Sequence, residues 1–273
     1  MTELMHALPD MEGALRTLWR DAFGDGDEYL DLFFSEYPAE RFALAAVCDG
    51  QVASALYLLP MTLARGKRKY PAQYVYAVAT DKEYRRRALM RSLLDRAAEE
   101  ASRSGIEALV TVPSNAGLFP YYTACGFETG FYADTLTKDV EPADSIEFTK
   151  TTLCAQKKVR DAFFSRFPLY GQWDEDALAY RDRETALLGG QVLAFERDGR
   201  PAYLAAVPDE NTLRITEMTC EADDAVLRSA AGYFNCRRIR VRIPGSGAPF
   251  AMLRICGSAD ILHKKGALSL VLD

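Results

Sequence analysis

The sequence predicts a two-domain α/β protein, and three observations carry that expectation. Helical and extended periodicities alternate through the first half, and the same order recurs more weakly in the second. A polar, proline-containing stretch, "DVEPADS" (139–145), lies between them. At 273 residues the chain is too long for one small core and has room for two. We therefore place the first domain at residues 1–142 and a smaller second one at 143–273.

Each element has its own signal. "MEGALRTLWRDAF" sets Leu15, Leu18, Trp19 and Phe23 at helical spacing, and "DEYLDLFFSEY" continues with Leu30, Leu32 and Phe33. Two apolar runs flank Asp49-Gly50, a hairpin signal because both residues tolerate positive φ. "YPAQYVYAVAT" reads as a third strand. Leu89, Leu93, Ala97 and Ala101 share one face of a helix that stops at Gly105. "EALVTVP" is a fourth strand, "GLFPYYTAC" a short helix and "ETGFYADTLTK" a strand. In the second half "KKVRDAFFSRF" and "DEDALAYRDRETAL" look helical, and Asp198-Gly199 joins two more strands. A strand, "TLRITEMTC", a helix, "DDAVLRSAAGYF", and a strand, "RRIRVRI", follow. Two copies of one α/β unit fit this order, although any α/β domain can hold such a hairpin.

Composition narrows the function. The chain is 49% hydrophobic and 26% charged, with no apolar run near the roughly 20 residues that cross a bilayer. "MTELMHALPD" lacks a signal-peptide pattern, and six cysteines without C-x-x-C spacing point to a reduced, cytoplasmic protein. We expect no membrane association. With only His6 and His263, a histidine-rich metal site has little material, and we expect no metal. A net charge of −6 opposes a nucleic-acid partner and would steer a cationic amine favourably.

The stretch that carries chemistry is "YVYAVATDKEYRRRALMRSLL". A strand ends, Arg85, Arg86 and Arg87 crowd a short loop, and a helix opens near Ala88. Cations at a helix N-terminus oppose its dipole, so an anion bound there would reverse the sign of the interaction. The backbone amides of residues 86–91, with Arg91 included, would hold a phosphate. A solvated basic turn offset by Asp81, Glu83 and Asp95 is the alternative reading.

These residues resemble the GNAT superfamily of acetyl-CoA-dependent N-acetyltransferases, whose signature is Arg/Gln-x-x-Gly-x-Gly/Ala. Arg85 fills the first position, Ala88 stands for the usual glycine and Met90 for the usual small residue, with Leu89 between them. Met90 is similar to the Eis-like branch of the superfamily. "SNAGLFPYYTACGFE" matches a second family element, with Asn115 seven residues before Tyr122 and Gly126-Phe127 closing it. The resemblance implies a GNAT fold, a mixed and mostly antiparallel sheet flanked by helices, over residues 1–140. It implies acetyl-CoA as donor, gripped at the pyrophosphate by the arginine loop. Tyr122 would protonate the leaving thiolate, while Tyr121 would point elsewhere. Asn115 would bond the pantetheine or the strand backbone, or simply shape a loop turn. Strand amides at Tyr76–Ala79, Val78 foremost, would pair with the pantetheine. The packed-core alternative for Tyr122 stays open.

The Eis-like proteins also carry a degenerate second copy and then a third, sterol-carrier-like domain, which this shorter chain is expected to lack. At the second copy's junction, "CEADDAVLRS", Glu221, Asp223 and Asp224 would repel a pyrophosphate. In those relatives the terminal carboxylate helps deprotonate the substrate; here Asp273 ends "LSLVLD", where a frayed terminus is expected. The acceptor is a small-molecule or peptide amine, its base unassigned. The acidic cluster Asp21, Asp25, Asp27 and Glu28 would attract a cation, or form a solvated turn with Asp27 capping the next helix. A non-catalytic acetyl-CoA-binding regulator is the alternative function. A strand edge exposed between the halves could pair subunits into a homo-oligomer.

Overall fold

The computed structural model describes residues 1–245, 247–257 and 266–268. Its strands are β1 (Thr2–His6), β2 (Ala43–Cys48), β3 (Gln51–Arg65), β4 (Arg68–Thr80), β5 (Ala108–Thr111) and β6 (Glu128–Asp139), then β7 (Tyr170–Gln172), β8 (Gln191–Arg197), β9 (Arg200–Asp209), β10 (Thr212–Met218), β11 (Arg238–Pro244) and β12 (Ala248–Ile255). Its helices are α1 (Glu12–Phe23), α2 (Asp27–Glu36), α3 (Ala39–Phe42), α4 (Leu89–Arg103) and α5 (Phe119–Ala124), then α6 (Leu153–Phe164), α7 (Glu175–Leu187) and α8 (Asp224–Tyr233). No described helix is long and apolar enough to cross a membrane. The described residues fall into two units, the first holding Met1–Leu63, Lys69–Gly130 and the strand from Phe250, the second most of the rest.

In the first unit the strands run in the order β1-β2-β3-β4-β5-β12. β1 and β3 flank β2 antiparallel, and the β2–β3 turn closes at Asp49 (φ 50°) and Gly50 (φ 83°), both left-handed as that dipeptide favours. α4 buries Leu89, Met90, Leu93, Leu94, Ala97, Ala98 and Ala101 in a core shared with Tyr122 and Phe127. A separate aromatic cluster joins Trp19, Phe33, Phe34, Tyr57 and Tyr76. The parallel β4–β5 ladder pairs Ala72–Tyr74 with Ala108–Val110. β4 then continues to Thr80 past the end of β5.

The second unit repeats that plan. β8 and β9 form a hairpin closed by left-handed Asp198 and Gly199, β10 pairs antiparallel with β9, and β11 lies parallel to β10 after α8. α8 packs Val226, Leu227, Ala230 and Ala231 against Leu213, Ile215, Ile239 and Val241.

The two compact units do not divide at residue 142. The chain changes unit inside β6, after Gly130, and returns to the first unit near Phe250. The cause is an exchange of strands. β6, which follows β5 and α5, pairs Ala133–Asp139 with β11 of the second unit. β12, which follows β11, pairs Met252–Ile255 with β5 of the first. Residues 139–145 are instead held within the second unit, where Ala143 N donates to Arg228 O. β1, β7 and β12 have no counterpart in the sequence reading. α6 starts at Leu153, earlier than expected, because Thr152 Oγ1 accepts from Ala155 N and caps it. Asp273 and the "LSLVLD" strand lie outside the described residues, apart from Leu268.

Candidate active site

The β4–α4 junction is built from a capped turn and two strained residues. Asp81 Oδ1 accepts from Glu83 N at 2.8 Å and starts a single helical turn, Lys82–Tyr84. The chain then passes through Arg86 at φ 64° and Ala88 at φ 58°, both left-handed. Left-handed backbone costs a residue with a Cβ on the order of 1 kcal/mol, which marks the loop as held in a shape it would not adopt alone. Alternating hand in this way turns successive N–H groups toward one concave side, the arrangement that binds anions. Ala88 is the N-cap of α4 and offers no side-chain acceptor, and the first turn contains no acid. The helix therefore presents its donors uncapped.

Thr80, Tyr84, Arg85–Arg91 and Tyr121 line a cleft of about 260 Å³ at this point. The arginines divide into two kinds. Arg85 Nε donates to Thr80 O at 3.3 Å; Arg87 Nη2 donates to Glu83 O at 3.2 Å and lies over the Tyr84 ring at 4.8 Å. Both brace the loop. Arg86 and Arg91 are exposed and make no hydrogen bond or ion pair among the described residues, which leaves their guanidinium groups for a ligand. Leu89 and Met90 turn their side chains into the core, so they can serve a ligand only through their amides. That inward direction explains why a bulky Met90 is accepted where a small residue is usual.

Tyr122 is 5% exposed and stacks edge-on against Phe127 at 5.6 Å. Its hydroxyl bonds the Thr111 side chain, and Thr111 Oγ1 donates to Val75 O at 3.2 Å, where the β4–β5 ladder ends. The phenol thus stands at the fork between the two strands. Burial raises its pKa above the ordinary 10.0, against the weaker opposing effect of the Thr111 bond, so it keeps its proton at neutral pH. Tyr76 and Val78 lie on β4 beyond the fork, both partly accessible, with Ala77 between them at φ 45°. A left-handed alanine inside a strand re-aims the neighbouring amides, a feature the sequence did not signal. The Tyr76 hydroxyl is 2.8 Å from that of Tyr29 on α2.

Tyr121 points elsewhere than Tyr122: it is 39% exposed and lines the arginine cleft, with its hydroxyl beside Cys125. Asn115 takes the turn role, since its Oδ1 accepts from Gly117 N at 3.0 Å. In the acidic cluster, Asp25 Oδ2 accepts from Trp19 Nε1 at 2.7 Å and Asp27 pairs with Arg20; Gly26, not Asp27, is the N-cap of α2.

Comparison with known proteins follows the same lines. No curated protein matches the chain in sequence. Over most of its length the fold is similar to a GCN5-related N-acetyltransferase of Anabaena variabilis (TM-score 0.74, 15% identity, 94% of this chain and 73% of that one). It is also similar to a probable N-acyltransferase of Enterococcus faecalis (0.71, 14%, 94% and 73%) and to Eis1 of Mycobacterium abscessus (0.66, 12%, 94% and 74%). At such identities the likeness is one of fold. The family model for the acetyltransferase (GNAT) domain matches residues 9–130, a stretch that contains both the arginine loop and Tyr122. The resemblance read from those motifs is thus shared by the family model over that stretch.

Proposed function

We propose that the chain is an acetyl-CoA-dependent N-acetyltransferase acting on a primary amine by direct attack in a ternary complex. The observation that carries this reading is the loop at Arg86–Ala88, whose two left-handed residues and uncapped helix form a phosphate cradle. Arg86 and Arg91 add charge-assisted bonds to the coenzyme pyrophosphate, and the amides of Tyr76–Ala79 pair with its pantetheine arm.

When bound, acetyl-CoA supplies a thioester carbonyl that a neutral amine can attack. Strand amides past the fork steady the charge that develops on the carbonyl oxygen. As the carbon–nitrogen bond forms, the carbon–sulfur bond breaks, and Tyr122 gives its proton to the departing sulfur. The proton lost by the attacking nitrogen leaves to solvent, and the phenolate recovers one there. The raised pKa suits this role because the acid form persists through the physiological range.

Tyr122→Phe tests it directly. Turnover should fall on the order of a hundredfold while acetyl-CoA affinity, measured by calorimetry, stays close to native. The native rate should show no loss of the acid up to about pH 10, since the phenol titrates above its ordinary value. A Tyr122→Phe variant with native turnover would remove the tyrosine from the mechanism. Acetyl-CoA binding without acetylation of any amine would favour the regulator reading.

A further inference from the structure

We propose that Arg254 is a positioning residue for Tyr122, which makes the strand from the far end of the chain part of the catalytic apparatus. The inference rests on the reading of Tyr122 as the acid. β12 brings Arg254 opposite Leu109 on β5, and the side chain is only partly accessible. Its Nη1 donates to two acceptors, Asp95 Oδ1 on α4 at 2.8 Å and Cys125 O at the end of α5 at 3.0 Å. The Arg254 side chain also lies against Gly126: a Cβ there would meet Arg254 Nε at 3.4 Å and Cζ at 3.7 Å. Gly126 is left-handed at φ 82°, a hand that favours glycine.

The helix that receives this contact needs it. α5 is six residues long, below the length at which a helix holds itself in water. A cation on the carbonyl at its C-terminus matches the helix dipole and satisfies an orphan acceptor. Asp95 fixes that cation from α4, the helix that opens the arginine cleft. One guanidinium therefore sets the distance between the element that carries Tyr121 and Tyr122 and the element that begins with Leu89. A half-exposed ion pair of this kind adds little to stability. Its effect should appear in the geometry of the acid.

A double-mutant cycle on the full chain tests the inference. Coenzyme thiol release is followed with acetyl-CoA and four primary-amine probes: spermidine, kanamycin, tryptamine and a lysine-bearing peptide. Arg254→Gln should lower kcat by roughly tenfold to a hundredfold, with KM for acetyl-CoA within about twofold of native. Arg254→Lys, which keeps a donor and the charge, should recover part of the loss. In a Tyr122→Phe background, Arg254→Gln should have no further effect, because the group it positions is gone. An equal loss in both backgrounds, a native kcat, or a change confined to KM would overturn the inference while leaving Tyr122 as the acid. A Tyr122→Phe variant as fast as native, or a native chain that acetylates none of the four probes, would instead remove the reading on which it rests.

Discussion

The β4–α4 and β10–α8 junctions occupy the same place in two similar units and are chemically opposite. At the first, α4 starts on a left-handed alanine without a side-chain cap, beneath arginines that brace or face a cleft. At the second, Asp223 caps α8 from extended backbone (φ −84°), its Oδ1 accepting from Val226 N at 3.0 Å. The second helix has satisfied its own donors, whereas the first has left them for a ligand. The strands that lead in differ in the same sense. β4 turns left-handed at Ala77, and beyond it Val78 stays partly accessible. β10 has a register shift at the corresponding point, between Ile215 and Glu217, and then fills the space with charge. Glu217, 2% exposed, accepts from Arg160 Nε and from Arg181 Nη1, each at 3.0 Å, and from the Tyr203 hydroxyl. Arg160, on α6, is wholly buried and also donates to Gly171 O at 2.8 Å. One plan has thus been kept open at one copy and closed by its own side chains at the other.

The largest effect should come from opening the closed copy. Glu217→Ala leaves two buried guanidinium groups without their shared carboxylate, and stability should fall by about 3–5 kcal/mol in urea titration. A loss below about 1 kcal/mol would mean that the network is solvated and the second site is not plugged. Next comes the open copy. The double substitution Arg86→Glu with Arg91→Glu should weaken acetyl-CoA binding by about a hundredfold or more in calorimetry, since each charge-assisted bond contributes roughly 1.5–3 kcal/mol. Arg87→Glu should act chiefly by loosening the loop, because Arg87 is engaged with Glu83 and Tyr84. Unchanged affinity in the double variant would leave the cradle to backbone alone.

How much of this contrast is legible in the sequence depends on whether a feature is local. The two hairpins were readable because Asp-Gly pairs supply the left-handed residues that the turns use. α4 was readable from one repeating apolar face, and the opposite charges of the two junctions were plain. The strand exchange was hidden, because pairing partners about a hundred residues apart or more leave no mark on local periodicity. β1 was missed for a related reason: its five mostly accessible residues show little alternation, and it is a strand only because β2 offers an edge. The charges of α6 and α7 read as solvent-facing, yet Arg160, Arg181 and Glu184 are buried. Nothing in either helix alone announces the partner at Glu217. At the site, the motif singled out Tyr122 and set Tyr121 apart from it, but not the place of Tyr121 in the arginine cleft, which exists only once the short helix is docked.

The smallest predicted effect sharpens the comparison most, because one residue type should act with opposite sign at the two helix starts. Ala88→Gly removes a Cβ from left-handed backbone, and the relief of about 1–2 kcal/mol outweighs the added entropy of the unfolded chain. A net gain of about 0.5 kcal/mol should raise the melting temperature by about 1–2 °C and leave acetyl-CoA binding intact. Asp223→Gly removes a cap from backbone that needs no special residue. It should cost a few tenths of a kcal/mol, and Asp223→Ala about 1 kcal/mol. Differential scanning calorimetry on the three variants reads both signs. If Ala88→Gly destabilised the chain, the loop would owe its shape to something other than backbone strain held for a ligand. The two junctions would then differ in charge alone.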